Sequence, residues 1–367
     1  MQRSLTRRDA LGRVAAGLGL LSVFTDDRGA DAAQRPATPV RKGTVSTVRG
    51  PIDTAKLGLT LSHEHICATS AGIWQAWPQL FGGRAKFVAE AVDILKQAKA
   101  EGLDTVVDVT TIDLGRDIRL LEEISRKSGV QVVACTGHWL DPSRTMNART
   151  VEELADFFTR EIEVGIEGTD IKAGVIKVAN GNGPINGFGE KLLRAAARVS
   201  KATGVPVTTH SPGRDRVGER QAAIFESEGL SPSKVCIGHS DNSDPDYQMG
   251  LVKRGYVLGM DQLPGGLPPA PGTPPPQPPP LTFDQRLAGI KALVDAGFAN
   301  QLMLSNDWSL AMGLIPTETD RVRKAGNPDG IQFVIRKGLP GLKKIGVSDQ
   351  AIRTMTVDAP KRYFDGV

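Results

Sequence analysis

Five histidines in a chain of 367 residues are few enough to be read one at a time. His63 and His65 stand two apart in Ser62-His63-Glu64-His65, at the end of a short apolar run. In an extended strand positions i and i+2 share a face, so both imidazoles point the same way and converge. Lys177, His210 and His239 end three later β-branched runs, and Asp307 follows a fourth. One shared metal site explains this recurrence better than unrelated structural residues do. Nitrogen and oxygen donors without thiolates suit Zn²⁺, Co²⁺, Mn²⁺ or Fe²⁺, with zinc the first expectation. Four His and an Asp exceed what a single tetrahedral ion with an open position can use, and they suit two ions. An ammonium cannot ligate a metal, so Lys177 is either a neutral nucleophile, as in a Schiff-base enzyme, or carbamylated by CO₂. The crowd of ligands favours the carbamate. Two ions about 3.5–4 Å apart clamp a displacement at phosphorus or carbon, and a water between them loses its proton near neutral pH. Asp307 is the natural group to hydrogen-bond that hydroxide and accept its proton. Asp307 and Lys177 are therefore the expected catalytic residues.

Elements that bring these residues together can be read from the apolar pattern. Candidate strands are 59–62, 105–109, 131–136, 174–178, 205–209, 235–238, 255–259 and 301–305. Amphipathic stretches alternate with them, for example 86–100, 117–127, 151–162, 190–203 and 219–228. Val88, Ala91, Val92, Leu95 and Ala98 recur at helical spacing within the first. Eight strands, each followed by a helix, predict a (β/α)₈ TIM barrel in one domain, with its chemistry at the C-terminal ends of the strands. A doubly wound sheet would carry a Gly-rich phosphate loop after its first strand, and none occurs. His138 follows the third strand and reads equally as pocket lining or as structure. Cys67, Cys135 and Cys236 show no short-spaced pairing and read as buried hydrophobes.

Residues 1–32 have a different character. Arg7 and Arg8 precede a short apolar run ending at Phe24, and Ala30-Asp31-Ala32 offers a small-residue cleavage site. This is the layout of a signal peptide of the twin-arginine type, predicting export to the periplasm, with membrane association or secretion as variants. Residues 33–42 read as a flexible tether, and 43–367 as the catalytic domain. No other segment is apolar and long enough to span a membrane. The formal charge of +4 falls entirely in residues 1–42, because residues 43–367 carry 37 basic and 37 acidic side chains. A neutral domain does not suit a nucleic-acid partner, whereas a small neutral substrate needs no electrostatic steering. Residues 264–280 contain ten prolines and are expected to form a semi-rigid loop after the seventh strand.

With these residues in hand, the chain resembles bacterial phosphotriesterases (organophosphate hydrolases, aryldialkylphosphatases) of the amidohydrolase superfamily. The resemblance runs from about Thr47 to Phe364. It is carried by VRGPIDTAKLGLTLSHEHICATSAG (48–72), AWPQLFG (76–82), GRDIRLL (115–121), VEELADFF (151–158), IKVAN (176–180), ATGVPVTTH (202–210), QAAIFESEGLSPSKVCIGHSD (221–241) and SNDW (305–308). It implies a (β/α)₈ barrel, usually a homodimer, that hydrolyses aryl dialkyl phosphates by in-line attack of a metal-bridging hydroxide. By motif, His63, His65 and Asp307 would hold the more buried ion. His210 and His239 would hold the more exposed one, with carbamylated Lys177 bridging. Trp77, Trp139 and Trp308 match the aromatic residues around the leaving group. Ala68, Leu114 and Ser309 match the small subsite.

Two positions depart from the pattern. Where the best-known members relay a proton from the metal-bound Asp through a His and a second Asp, this chain has Gln262 and Asn242. Neither titrates, so turnover of substrates with poor leaving groups is expected to be reduced. The large subsite, which includes Gln262, is rebuilt near Gly265. A lactonase or carboxylesterase with weak phosphotriesterase activity would use the same residues, and an exported metal- or solute-binding protein would saturate its ions.

Overall fold

The computed structural model describes residues 39–266, 272, 279–312 and 318–366. The leader 1–32, residues 33–38 of the tether, and residues 267–271 and 273–278 of the proline-rich loop lie outside the described residues. A hairpin comes first: β1 (Thr44–Thr47) pairs antiparallel with β2 (Gly50–Asp53) through the turn Val48-Arg49. The sequence pattern did not anticipate it, because β1 alternates buried with part-exposed residues, β2 has none buried, and neither is an apolar run.

The barrel follows. Its strands are β3 (Thr60–Ala68), β4 (Thr105–Asp108), β5 (Gln131–His138), β6 (Val175–Ala179), β7 (Val207–His210), β8 (Val235–Ile237), β9 (Val257–Met260) and β10 (Leu302–Leu304). Each pairs in parallel with the next in chain order. A last strand, β11 (Ser309–Met312), returns to pair in parallel with β3, placing Ser309 opposite His65. β10 and β11 are two halves of the eighth strand, interrupted at residues 305–308, and they join β9 to β3. The eightfold (β/α) pattern expected from the sequence is the fold.

Several boundaries shift for identifiable reasons. β3 runs past Ser62 because it changes partner, from β4 at its start to β11 at its end, so His63 and His65 lie inside the strand. Lys177 likewise sits in the middle of β6 rather than at its end. β7 starts at Val207, since Pro206 has no N–H to donate. The helix expected at 190–203 begins at Gly187, because Asn186 caps it by accepting from the Gly189 amide. In the helix Arg84–Ala100, Val88, Ala91, Val92, Leu95 and Ala98 are all buried, as their spacing predicts.

The barrel interior is packed rather than open. Val107, Val133, Cys135, Val175, Cys236, Val257 and Met303 form one apolar cluster with Val45 of the hairpin and with Ala359, Tyr363 and Phe364 of the last helix. Hairpin and C-terminal helix thus close the N-terminal end of the barrel. The polar, ionisable side chains are left to the other end.

Candidate metal centre

Three strands and the ends of two more deliver the six expected residues to one place. His63 Nε2 lies 2.8 Å from Lys177 Nζ and 3.7 Å from Asp307 Oδ1. His65 Nε2 lies 3.5 Å from the same Asp307 oxygen. Across the mouth, His239 Nε2 and His210 Nδ1 are 2.7 Å apart, and the His63 and His239 ring centroids are 4.9 Å apart. Lys177 is held opposite Gly137 of β5, where any Cβ would collide with the Lys177 carbonyl oxygen. His239 and Asp307 leave their strands with φ of 57° and 50°, the left-handed region that non-glycine residues seldom occupy.

The outward nitrogens are anchored. His65 Nδ1 is 2.9 Å from Thr110 Oγ1. His239 Nδ1 and the His239 amide both meet Asp261 Oδ1, each at 2.8 Å. His63 Nδ1 is 3.0 Å from Asp261 Oδ2, though out of line for a hydrogen bond. Asp261 therefore orients His239 by hydrogen bonds and faces His63 by charge alone, a support that ligating imidazoles commonly have. Burial opposes its charge, but His239 and His63 outweigh burial and hold the carboxyl well below the usual range. Sequence reasoning missed Asp261. Its only signal is an acid directly after the buried seventh strand, in Met260-Asp261-Gln262.

Burial favours the neutral form of two of these imidazoles. Burial, with Lys177 nearby, lowers His63 to about 4. Burial and His239 push His210 well below its ordinary value. His239 is raised, because Asp261 and Asp307 outweigh its burial. Burial lowers Lys177 to about 8, so its free amine is accessible near neutral pH. Burial would raise Asp307, but His239, His65 and His63 keep it ionised. His239 Nε2 and His210 Nδ1, 2.7 Å apart, need a proton or another cation between them. The donor set of four imidazoles, one carboxylate and one readily deprotonated amine fits divalent ions that prefer nitrogen and oxygen. The donor atoms of His63, His65 and Asp307 already lie within 4.8 Å of one another.

Around this cluster the other expected residues take differing places. Gln262 Nε2 donates to Asp307 Oδ2 at 3.1 Å, so the side chain at the relay position touches the carboxylate directly. Asn242 turns away: its Oδ1 accepts from Leu281 N at 3.4 Å and Arg286 Nη2 at 3.3 Å. Arg286 is buried and pairs with Asp241 at 3.0 Å, locking the loops after β8 and β9 to the helix Phe283–Asp295. The Trp139 ring stands edge-on to His210 at 5.7 Å. Ala68 and Leu114 are half-buried, and Ser309 is buried against His65. Trp308 is buried under the Arg323 guanidinium, 3.9 Å from its ring centroid. Trp77 differs from the rest: 57% of it is exposed. His138 packs edge-on against Phe188 at 5.4 Å, so of its two readings the structural one fits. The three cysteines are free and buried, and burial raises their thiol pKa values, which suits packing rather than nucleophilic chemistry. A cavity of about 990 Å³ opens beside His210 and His239, bounded by Pro212, Gln262, Leu281 and Ala288.

The model of the phosphotriesterase family matches residues 43–364. A phosphotriesterase homology protein of Mycobacterium tuberculosis is 35% identical over 334 residues, covering 88% of this chain and 97% of the relative. An aryldialkylphosphatase of Saccharolobus solfataricus is 32% identical, covering 85% of this chain and 96% of the relative. More distant relatives include an N-acetyltaurine hydrolase of Tetraodon nigroviridis, 27% identical over 88% of this chain and 98% of the relative. Among solved structures, a mutant organophosphorus hydrolase from Deinococcus radiodurans superposes with a TM-score of 0.79 at 30% identity, covering 90% of this chain and 99% of that one. The chain belongs to the phosphotriesterase family, a family of hydrolases.

Proposed function

We propose that this member of the phosphotriesterase family is a binuclear metal-dependent hydrolase of neutral organophosphate triesters with aryl leaving groups. One observation carries the reading: four imidazoles, Lys177 and Asp307 converge on one barrel mouth, with the outward nitrogens of His63, His65 and His239 facing Asp261 or Thr110. His63, His65 and Asp307 would hold one ion, His210 and His239 the other, with carbamylated Lys177 between. Bound there, divalent ions such as zinc would acidify water and polarise the phosphoryl oxygen of the substrate. The residues supply the rest. Asp307 is aimed at the same space and is ionised, so it can take the proton of the attacking water. Gln262 pins the other oxygen of that carboxylate and fixes its direction. Trp139 offers an aromatic edge next to His210, where an aryl leaving group would depart. With no titrating side chain at positions 242 and 262, a leaving group that departs unprotonated is the better substrate.

On the same reading the twin-arginine-type leader exports an enzyme already folded and metal-loaded, and the enzyme works as a homodimer. No helix among the described residues is long and apolar enough to cross a membrane. The test is reconstitution with zinc or cobalt in bicarbonate, followed by assays on aryl dialkyl phosphates and on γ- and δ-lactones. Two equivalents of metal with preferred turnover of triesters supports the proposal. Preferred turnover of lactones transfers the site to a lactonase of the same chemistry. Absence of both metal and turnover ends the reading.

A further inference from the structure

Glu64 sits between the two histidines of β3, on the opposite face of the strand, and is fully buried. Its Oε1 accepts from Ser305 Oγ at 2.7 Å, from the Asn306 amide at 2.8 Å and from Asn306 Nδ2 at 2.8 Å. Its Oε2 accepts from the Trp308 amide at 2.9 Å. All four donors belong to the interruption of the eighth strand. The residue between the two bonded amides is Asp307. The Asp307 amide itself donates to the His63 carbonyl at 3.1 Å, and Ser305 Oγ accepts from the His63 amide at 2.9 Å. Asn306 also reaches the C-terminal helices, donating to Ile331 O and accepting from Val334 N.

Ordinary barrel closure does not need this arrangement, because strand pairing of β11 with β3 already joins the ends. What the carboxylate adds is a fixed conformation at residues 305–308. Asp307 has φ of 50°, which an L-residue holds only when its surroundings impose it. Two amides flanking that residue, both directed at one buried carboxylate, impose it. We infer that Glu64 is a positioning residue: it holds the Asp307 backbone in the left-handed conformation and so aims the Asp307 carboxylate at the space it shares with His63 and His65. The inference rests on the metallohydrolase reading. It gives the acid of the Ser-His-Glu-His segment a role on the far side of the strand from its histidine neighbours, one that acts through another residue's backbone.

The substitution Glu64→Gln tests it, since it keeps the volume and replaces one acceptor oxygen by an NH₂ group. That group then faces an N–H donor wherever it is placed. The readout is cobalt uptake by the full chain, followed by the visible spectrum of the bound Co²⁺, with turnover as a second measure. Expected are a changed cobalt spectrum, affinity for one of the two ions reduced by about 10–100-fold, and a lowered kcat with KM changed less than kcat. Should Glu64→Gln fail to fold, Glu64→Asp decides, because it keeps both acceptor oxygens but draws them back from the Asn306 and Trp308 amides; the same changes are expected at smaller size. A variant with a lower melting temperature but an unaltered spectrum and affinity overturns the inference, since that is the signature of a merely structural carboxylate. If the wild-type chain takes up no ions, the metallohydrolase reading falls and this one falls with it. Wild-type uptake with unaltered variants overturns this one alone.

Discussion

The two sides of the barrel mouth are built differently. On one side, β3 carries His63 and His65 within a nine-residue strand, and Asp307 is clasped to it by backbone and buried side chains. On the other, His210 is the last residue of a four-residue strand and His239 stands beyond the end of a three-residue one. On the first side Trp308 lies buried under Arg323, whereas the second side borders the cavity. A site needs both qualities. A rigid side fixes where charge sits, and an open side lets substrate arrive and product leave. On the proposed metal assignment the contrast predicts an order of affinity, with an ion at His63, His65 and Asp307 leaving last under chelation.

Asp307→Asn should have the largest effect, because it removes a ligand from the rigid side together with the proton acceptor. Turnover is expected to fall by about 10²–10⁴-fold, measured as kcat on a triester. A loss under tenfold would move the proton-accepting role elsewhere. Asp261→Asn probes what the two sides share. Its carboxylate hydrogen-bonds His239 and lies 3.0 Å from His63 Nδ1, so both proposed ions should bind more weakly, by about 10–100-fold in competition with a chelator. Weakening at one ion only would show the sides to be independent. Next is the pH dependence of loading. Lys177 must be neutral to react with CO₂, and its pKa is lowered to about 8. The neutral form of a base grows as pH rises, so loading at a fixed concentration of dissolved CO₂ should quicken roughly tenfold between one unit below that value and one unit above it, judged by the rate of activity gain. A flat profile would argue against Lys177 as the bridge. The smallest change expected is from Gln262→His on the open side. A titrating group against Asp307 Oδ2 should raise turnover by about two- to tenfold for triesters with poor leaving groups and leave good ones unchanged. Equal gains for both would point to binding rather than proton handling.

Much of this was legible before any coordinates. The alternating pattern announces the barrel, since helical and extended periodicities differ sharply and each recurs many times. His63, His65, Lys177, His210, His239 and Asp307 stand out because few other residues of those types end a strand. Asp261 and Glu64 do not stand out, although they organise the site. In a chain with 41 acidic residues, a carboxylate that hydrogen-bonds inward looks like one that faces water. The partners of Glu64 lie some 240 positions away, beyond any local pattern. The same limit explains Trp77. Its motif places it in the loop after the first barrel strand, but only packing decides whether the ring turns inward or out.

The closed floor of the barrel has a practical corollary. The hairpin near the start of the barrel unit and the helix at its end meet there, with Thr54 Oγ1 donating to Asp365 Oδ1 at 2.7 Å. Entry and exit of the folded unit are thus side by side, at the pole opposite the reactive groups. A barrel grafted onto a bead, an electrode or a fusion partner through either of these positions turns its open end outward, and the choice between them should make no difference to access.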